Sequence, residues 1–118
     1  MVPSPAWVVD LFKSIDRKDV DMFVSFLTED ATFQFGNAPP ITGRESIREV
    51  VAQFFSGIER LEHRIVDTWA LQEVVICKGE VTYTRHDGSL LAVRFANILK
   101  LSNNHIHEYF VYVDISQL

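Results

Sequence analysis

The sequence has a single cysteine, Cys77, in 118 residues, which excludes an internal disulfide framework and any cysteine-rich zinc centre. It stands in the apolar run Val74-Val75-Ile76-Cys77, where a thiol behaves as a small buried hydrophobe. Basic residues are also few. Eleven Lys and Arg against 16 Asp and Glu give a formal net charge of -5, and the basic residues are scattered along the chain. Phosphate binding needs a concentrated basic face, so nucleic acid is not an expected partner. No apolar run approaches the roughly 20 residues that span a bilayer, so no membrane partner is expected. Met1 to Pro5 carries neither the basic nor the apolar segment of an export signal, and the expected location is the cytoplasm. GxGxxG, GxxxxGK followed by Ser or Thr, HExxH and GxSxG are all missing. Nucleotide-binding, zinc-protease and serine-hydrolase readings lose their usual support.

What is present is a chain 47% hydrophobic and 12% aromatic, the composition of one compact domain spanning 1–118. Its first half has helical periodicity. Ser4-Pro5 sets a capping hydroxyl before a proline, and Val8, Leu11, Phe12 and Ile15 follow at helical spacing, predicting an amphipathic helix that ends near Arg17. Asp19 can cap a second, shorter helix with the stripe Val20, Phe23, Val24 and Leu27. Asp30-Ala31-Thr32-Phe33-Gln34-Phe35 reads as a short strand, and Gly36-Asn37-Ala38-Pro39-Pro40 as a loop. Thr42-Gly43-Arg44-Glu45 has the spacing of a capping box, and Ile47, Val50, Val51, Phe54, Phe55 and Ile58 mark a third helix closed by Gly57.

After Glu59 the period falls to two. Residues 61–71, 74–84, 90–101 and 106–113 predict four long strands rich in Val, Ile, Phe, Tyr and Trp. Gln72-Glu73, His86-Asp87-Gly88-Ser89 and Ser102-Asn103-Asn104-His105 are hairpin-length connections, so the four strands are expected to pair antiparallel. The layout is α+β: three N-terminal helices packed on a strongly curved antiparallel sheet that encloses a cone. A cone of this kind can hold a small molecule.

Asp30-Ala31-Thr32-Phe33, Gly36, Pro39-Pro40-Ile41 and Gly43-Arg44-Glu45-Ser46-Ile47 resemble the nuclear transport factor 2-like superfamily, in particular its SnoaL-like proteins and ketosteroid isomerases. Phe95 to Leu101, the turn after it, Ile106 and Asp114 resemble the same superfamily's last two strands. The resemblance covers nearly the whole chain and implies the cystatin-like cone. It leaves activity open, since the superfamily hosts isomerases, cyclases, dehydratases, hydrolases and binding modules. Ketosteroid isomerase chemistry is not carried over. Its general-base carboxylate would fall in Phe33-Gln34-Phe35, its oxyanion-hole tyrosine at Leu11 and its protonated aspartate at Asn97. Asn97 keeps a neutral amide that can donate from that place.

Scytalone dehydratase and similar dehydratases match better. Ser14 to Asp19 resembles the segment carrying their aspartate, and Leu61-Glu62-His63-Arg64-Ile65 the segment carrying their histidine. The resemblance makes Asp16 and His63 the candidate dyad, although the accompanying tyrosines correspond to Ile15 and the Phe33–Phe35 strand. Asp16 lies one turn beyond Phe12 on the flank of the first helix's stripe, and His63 alternates with Leu61, Ile65 and Trp69. An oriented His–Asp pair is a serviceable general acid and base. On the last strand, His107, Tyr109, Val111 and Val113 share one face, expected to line the cone, while Phe110 and Tyr112 fall on the convex face. Neighbouring outward aromatics suggest a homodimer through that face. His86 and His105 read as solvated turn residues, and Arg94 as outward-pointing. No metal or cofactor is expected.

Phe12, Phe26, Phe33, Phe35, Phe54, Phe55 and Phe95 are the expected aromatic lining, suited to a small apolar or aromatic ligand such as a steroid-like, polyketide-like or terpenoid molecule. Two functions stay open. One is a cofactor-free enzyme of isomerase, cyclase or dehydratase type, with His63 as acid/base, Asp16 orienting it, and Asn97 or Tyr109 holding an oxyanion. The other is a non-catalytic ligand-binding or assembly domain of the same fold.

Overall fold

The computed structural model describes residues 5–118. In chain order it contains α1 (Ala6–Asp16), α2 (Val20–Ser25), β1 (Leu27–Phe35), β2 (Ile41–Thr42), α3 (Arg44–Ser56), β3 (Arg60–Ala70), β4 (Val74–Thr84), β5 (Leu90–Ser102) and β6 (His105–Val113). Ser4, the expected capping residue of α1, lies outside the described residues, and Pro5 takes the N-cap position. The apolar stripes behave as their spacing demands. Helix α1 buries Val8, Leu11, Phe12 and Ile15, and α3 buries Ile47, Val51 and Phe55, against one face of the sheet. Each such side chain contributes about 1.5–3 kcal/mol of burial.

Helix α1 ends in a Schellman arrangement. The Lys18 N–H donates to Ile15 O at 2.9 Å and the Asp19 N–H to Ser14 O at 2.9 Å. Lys18 therefore takes the left-handed conformation, φ 56°, where glycine is usual. Its side chain turns to account for this: Nζ donates to Ile58 O at 3.0 Å and Phe55 O at 3.4 Å, placing a cation at the C-terminal end of α3. Asp19 caps α2 by accepting from the Met22 N–H.

The sheet has six strands in the order β2-β1-β6-β5-β4-β3. Strands β3 to β6 form the expected antiparallel meander. The expected wholly antiparallel sheet is corrected at its other side, where β1 runs parallel to β6 and makes the sheet mixed. β1 reaches β6 through the long excursion of α3 and the meander, so no hairpin forces the strands to be antiparallel. The capping box is also corrected. Thr42 pairs with Thr32 in β2, and the N-cap of α3 is Gly43, at φ 100°, with no side-chain cap.

The register breaks in the β1–β6 pairing between Leu27 and Thr32 and at bulges in two pairs of the meander. The β3–β4 register slips between Ile65 and Asp67, leaving Val66 as an extra residue. A Cβ on Gly79, opposite this point, would sit 2.0 Å from Arg64 O, so glycine is what lets the bulged backbone close on β4. The slip reverses the phase of β3. Leu61, His63 and Ile65 face inward, but Thr68 is the next buried residue and Trp69 is 49% exposed on the convex face, correcting its expected place beside His63. A second slip, between Lys100 and Leu101, makes His107 the extra residue of β6.

Candidate active site

Helices on the concave side and the bent sheet enclose a cavity of about 180 Å3. Phe33, Phe35, Phe54, Phe55 and Phe95 line it as expected. Phe26 does not, and Phe12 stands behind His63, its ring 5.0 Å from the imidazole. Phe23, expected only as part of the α2 stripe, and Tyr83 are lining residues missing from the expected aromatic set. Tyr83 follows from β4, where Val75, Cys77, Val81 and Tyr83 alternate inward. Ala38 in the 36–40 loop and Val50 on α3 both line the cavity and reach solvent, and so mark its mouth.

The structure brings Asp16 and His63 together. Asp16 Oδ1 is 2.6 Å from His63 Nδ1, and Oδ2 accepts from the His63 backbone N–H at 3.0 Å. A carboxylate accepts only, so Nδ1 carries the proton and Nε2 is the ring nitrogen left with a lone pair. The rings of Phe12 and Phe95, the latter 5.1 Å away and edge-on, hold the imidazole in orientation. Asp16 sits at the last position of α1, where the helix dipole disfavours an anion; the Schellman turn after it fixes the side chain against β3.

Asn97 and Tyr109 form a second pair. Both are buried, and Asn97 Nδ2 donates to the Tyr109 hydroxyl at 3.3 Å. Asn97 Oδ1 is buried with no hydrogen-bond partner among the described residues. Burial pushes the Tyr109 hydroxyl well above its ordinary pKa and the Tyr83 hydroxyl up to about 12, so both stay protonated donors. Cys77 is held neutral by the same cause, its thiol pushed up to about 12.

His107 is not in the cavity, which corrects its expected place beside Tyr109. The bulge turns it toward Thr28, whose hydroxyl lies 3.3 Å from Nδ1, with Asp30 at 3.6 Å. Tyr109, Val111 and Val113 keep the inward face. His86, His105 and Arg94 are exposed as expected. His86 nevertheless has partners: Nδ1 lies 3.1 Å from Glu59 and Nε2 lies 3.0 Å from Ser56 O at the end of α3. Among the described residues, no three His, Cys, Asp or Glu side chains converge as metal ligands would.

A family profile for the SnoaL-like domain matches residues 8–109. The chain belongs to the SnoaL-like domain family. Solved structures share the fold at low identity. A protein with a ketosteroid isomerase-like fold from Catenulispora acidiphila DSM 44928, in complex with trimethylamine, superposes with TM-score 0.88 at 18% identity, covering 97% of this chain and 89% of its own. A candidate polyketide cyclase from Xanthomonas campestris pv. campestris gives TM-score 0.84 at 18% identity, covering 93% and 89%. An M. tuberculosis LEH-like epoxide hydrolase gives 0.78 at 13%, covering 92% and 80%. No curated protein sequence matches. Among the described residues, no helix of this SnoaL-like chain is long and apolar enough to cross a membrane.

Proposed function

We propose that this SnoaL-like chain is a small-molecule enzyme in which His63 moves a proton within the cavity, as an isomerase, cyclase or dehydratase does. The observation that carries this reading is the double hydrogen bond of Asp16 to His63 on the cavity wall. Asp16 sets the tautomer, so Nε2 is the basic atom, and its charge stabilises the imidazolium that forms when Nε2 takes a proton. Negative charge then develops on a substrate oxygen. The protonated hydroxyl of Tyr109, which accepts from Asn97 and so keeps its own hydrogen free, is the donor for that oxygen. The water-poor aromatic wall strengthens both interactions. That similar folds carry an epoxide hydrolase and a candidate polyketide cyclase supports proton-transfer chemistry here without choosing the reaction.

The test is proton abstraction itself. One-ring cyclic ketones are incubated with the protein in D2O, and loss of their α-protons is followed by NMR. The wild type is expected to exceed His63→Ala by about 10²- to 10⁴-fold. Equal rates with a ketone that binds both proteins leave the second reading, a binding or assembly domain.

We also propose that the chain is a homodimer through the convex sheet face. Trp69, Ile76, Ile98 and Phe110 stand side by side across four strands, forming one apolar row. Ion-paired residues flank this row, Lys78 with Asp67 and Lys100 with Glu108. A two-fold axis over such a row buries both copies of it while the charged flanks stay in water.

A further inference from the structure

The size of the cavity and the unpartnered Oδ1 of Asn97 on its wall together specify a ligand, given that the cavity is a ligand site as proposed above. A dry protein cavity of about 150 Å3 holds one benzene ring, whereas pockets for drug-sized molecules begin near about 300 Å3. At about 180 Å3, this cavity encloses one ring and a small substituent. A four-ring steroid or a multi-ring polyketide needs a larger pocket than this.

The polar requirement comes from Asn97. Its side chain is 3% exposed and its Oδ1 has no partner, a loss that a buried acceptor does not sustain cheaply. With one Asn97 Nδ2 hydrogen donating to Tyr109, the pair leaves the Oδ1 acceptor, the second Nδ2 hydrogen and the Tyr109 O–H donor unmatched. Turning the amide over makes Tyr109 donate to Oδ1 and leaves the two N–H donors unmatched instead. A hydroxyl serves every arrangement, since it donates and accepts through the same oxygen. A ketone or an ether only accepts.

We propose that the cavity takes a one-ring ligand bearing a hydroxyl, a phenol or a cyclic enol, docked by that hydroxyl on the Asn97–Tyr109 pair. The rest of the wall is aromatic and aliphatic and rewards the ring alone. An enol docked in this way is also the protonated form of the oxyanion that His63 would generate from a cyclic ketone, so the ligand and the chemistry fit one site.

Phenol, toluene, p-cresol and 2-naphthol are titrated into the full chain and into Asn97→Leu, with dissociation constants read by calorimetry. On the wild type, phenol is expected to bind about tenfold tighter than toluene. p-Cresol should gain about fourfold over phenol for its methyl group, and 2-naphthol should bind more weakly than p-cresol. In Asn97→Leu, the phenol-to-toluene ratio falls toward one. A ratio near one on the wild type, or an unchanged ratio in the variant, overturns the hydroxyl dock. 2-Naphthol binding more tightly than p-cresol overturns the size limit. Should Asn97→Leu fail to fold, the wild-type ratios still decide. Binding is read without turnover, so an intact phenol preference without deuterium exchange refutes the acid/base reading alone, and exchange without that preference refutes this one alone.

Discussion

Replacing Asp16 with Asn changes one charge and almost no volume, which makes it a sharp perturbation of the site. Asp16 accepts from the His63 ring at 2.6 Å and from the His63 backbone N–H at 3.0 Å. In the variant the amide oxygen can keep the backbone bond, but the amide nitrogen then faces Nδ1 with hydrogens of its own. Nδ1 must become the acceptor, and the ring proton moves to Nε2. The stability cost is the difference between one charge-assisted and one neutral hydrogen bond, about 1–2 kcal/mol. Because the Asp16 side chain is 27% exposed and water can replace part of the loss, the lower end applies, about 1 kcal/mol. A chain of this length unfolds with an entropy of about 0.25 kcal/mol/K, so the melting temperature should fall by about 4 °C.

The functional cost is far larger, because Nε2 no longer carries a lone pair toward the cavity. Deuterium exchange should fall by about 10²-fold or more while the fold persists. The assay that tests the cause is a ¹⁵N–¹H correlation of the neutral imidazole, which separates the two tautomers by their nitrogen shifts. Wild type is expected to show the Nδ1–H form and Asp16→Asn the Nε2–H form. If both proteins show the same tautomer, Asp16 does not orient His63, and the derivation fails at its first step.

Phe110→Glu should convert a dimer to monomers in sedimentation velocity, because Phe110 lies in the convex apolar row; a dimer that survives the change moves the interface elsewhere. Gly79→Ala should cost about 3 kcal/mol in denaturant melts, since its Cβ meets backbone at 2.0 Å rather than a yielding side chain, and a loss under about 1 kcal/mol would show that the bulge can relax. His86 touches acceptors with both ring nitrogens, the Ser56 carbonyl first and then Glu59, which raises its pKa above 6.5. A raised histidine pKa adds stability that is complete below 6.5 and is lost as pH rises through the folded value, so the melting temperature should decline as the pH is taken upward from 6.5. His86→Gln should flatten that decline relative to wild type; an unchanged slope would remove His86 as its source.

The meander was legible because an unbroken period of two and hairpin-length turns decide each other. Residues 74–84 fall where the alternation placed them, and the Asn103-Asn104 turn takes the positive φ angles its residues favour. Single insertions were not legible. Val66 and His107 leave no mark on composition, yet each shifts the facing of its strand, which is how Trp69 and His107 came to point away from the cavity. A trace of the first bulge was present in Gly79, a glycine inside an apolar strand, where close backbone approach is the usual cause. β1 begins at Leu27, earlier than expected, because Leu27 pairs with Ile106 of β6, while Thr28, Glu29 and Asp30, which look like a loop, fall in a break of register before Thr32 pairs with Glu108. The contact between Asp16 and His63 spans 47 residues. Helical periodicity put Asp16 on the flank of a buried stripe, but only the family resemblance named its partner.

The residues that break local stability rules lie on the cavity wall or hold a residue of that wall, as Asp16 holds His63. An aspartate ends α1, where a cation is favoured, and an asparagine oxygen is buried without a partner among the described residues. Elsewhere the same rules hold. Lys18 caps the end of α3, Asp19 caps α2, and the buried Ser14 hydroxyl donates to Leu11 O at 2.6 Å. Each exception costs on the order of 1 kcal/mol or more, and a chain of this size has only about 5–15 kcal/mol of net stability to spend. Random wear would spread such costs over the surface, where they are cheapest. Their concentration in and directly behind one otherwise apolar wall is what an arrangement kept for a ligand rather than for the fold produces.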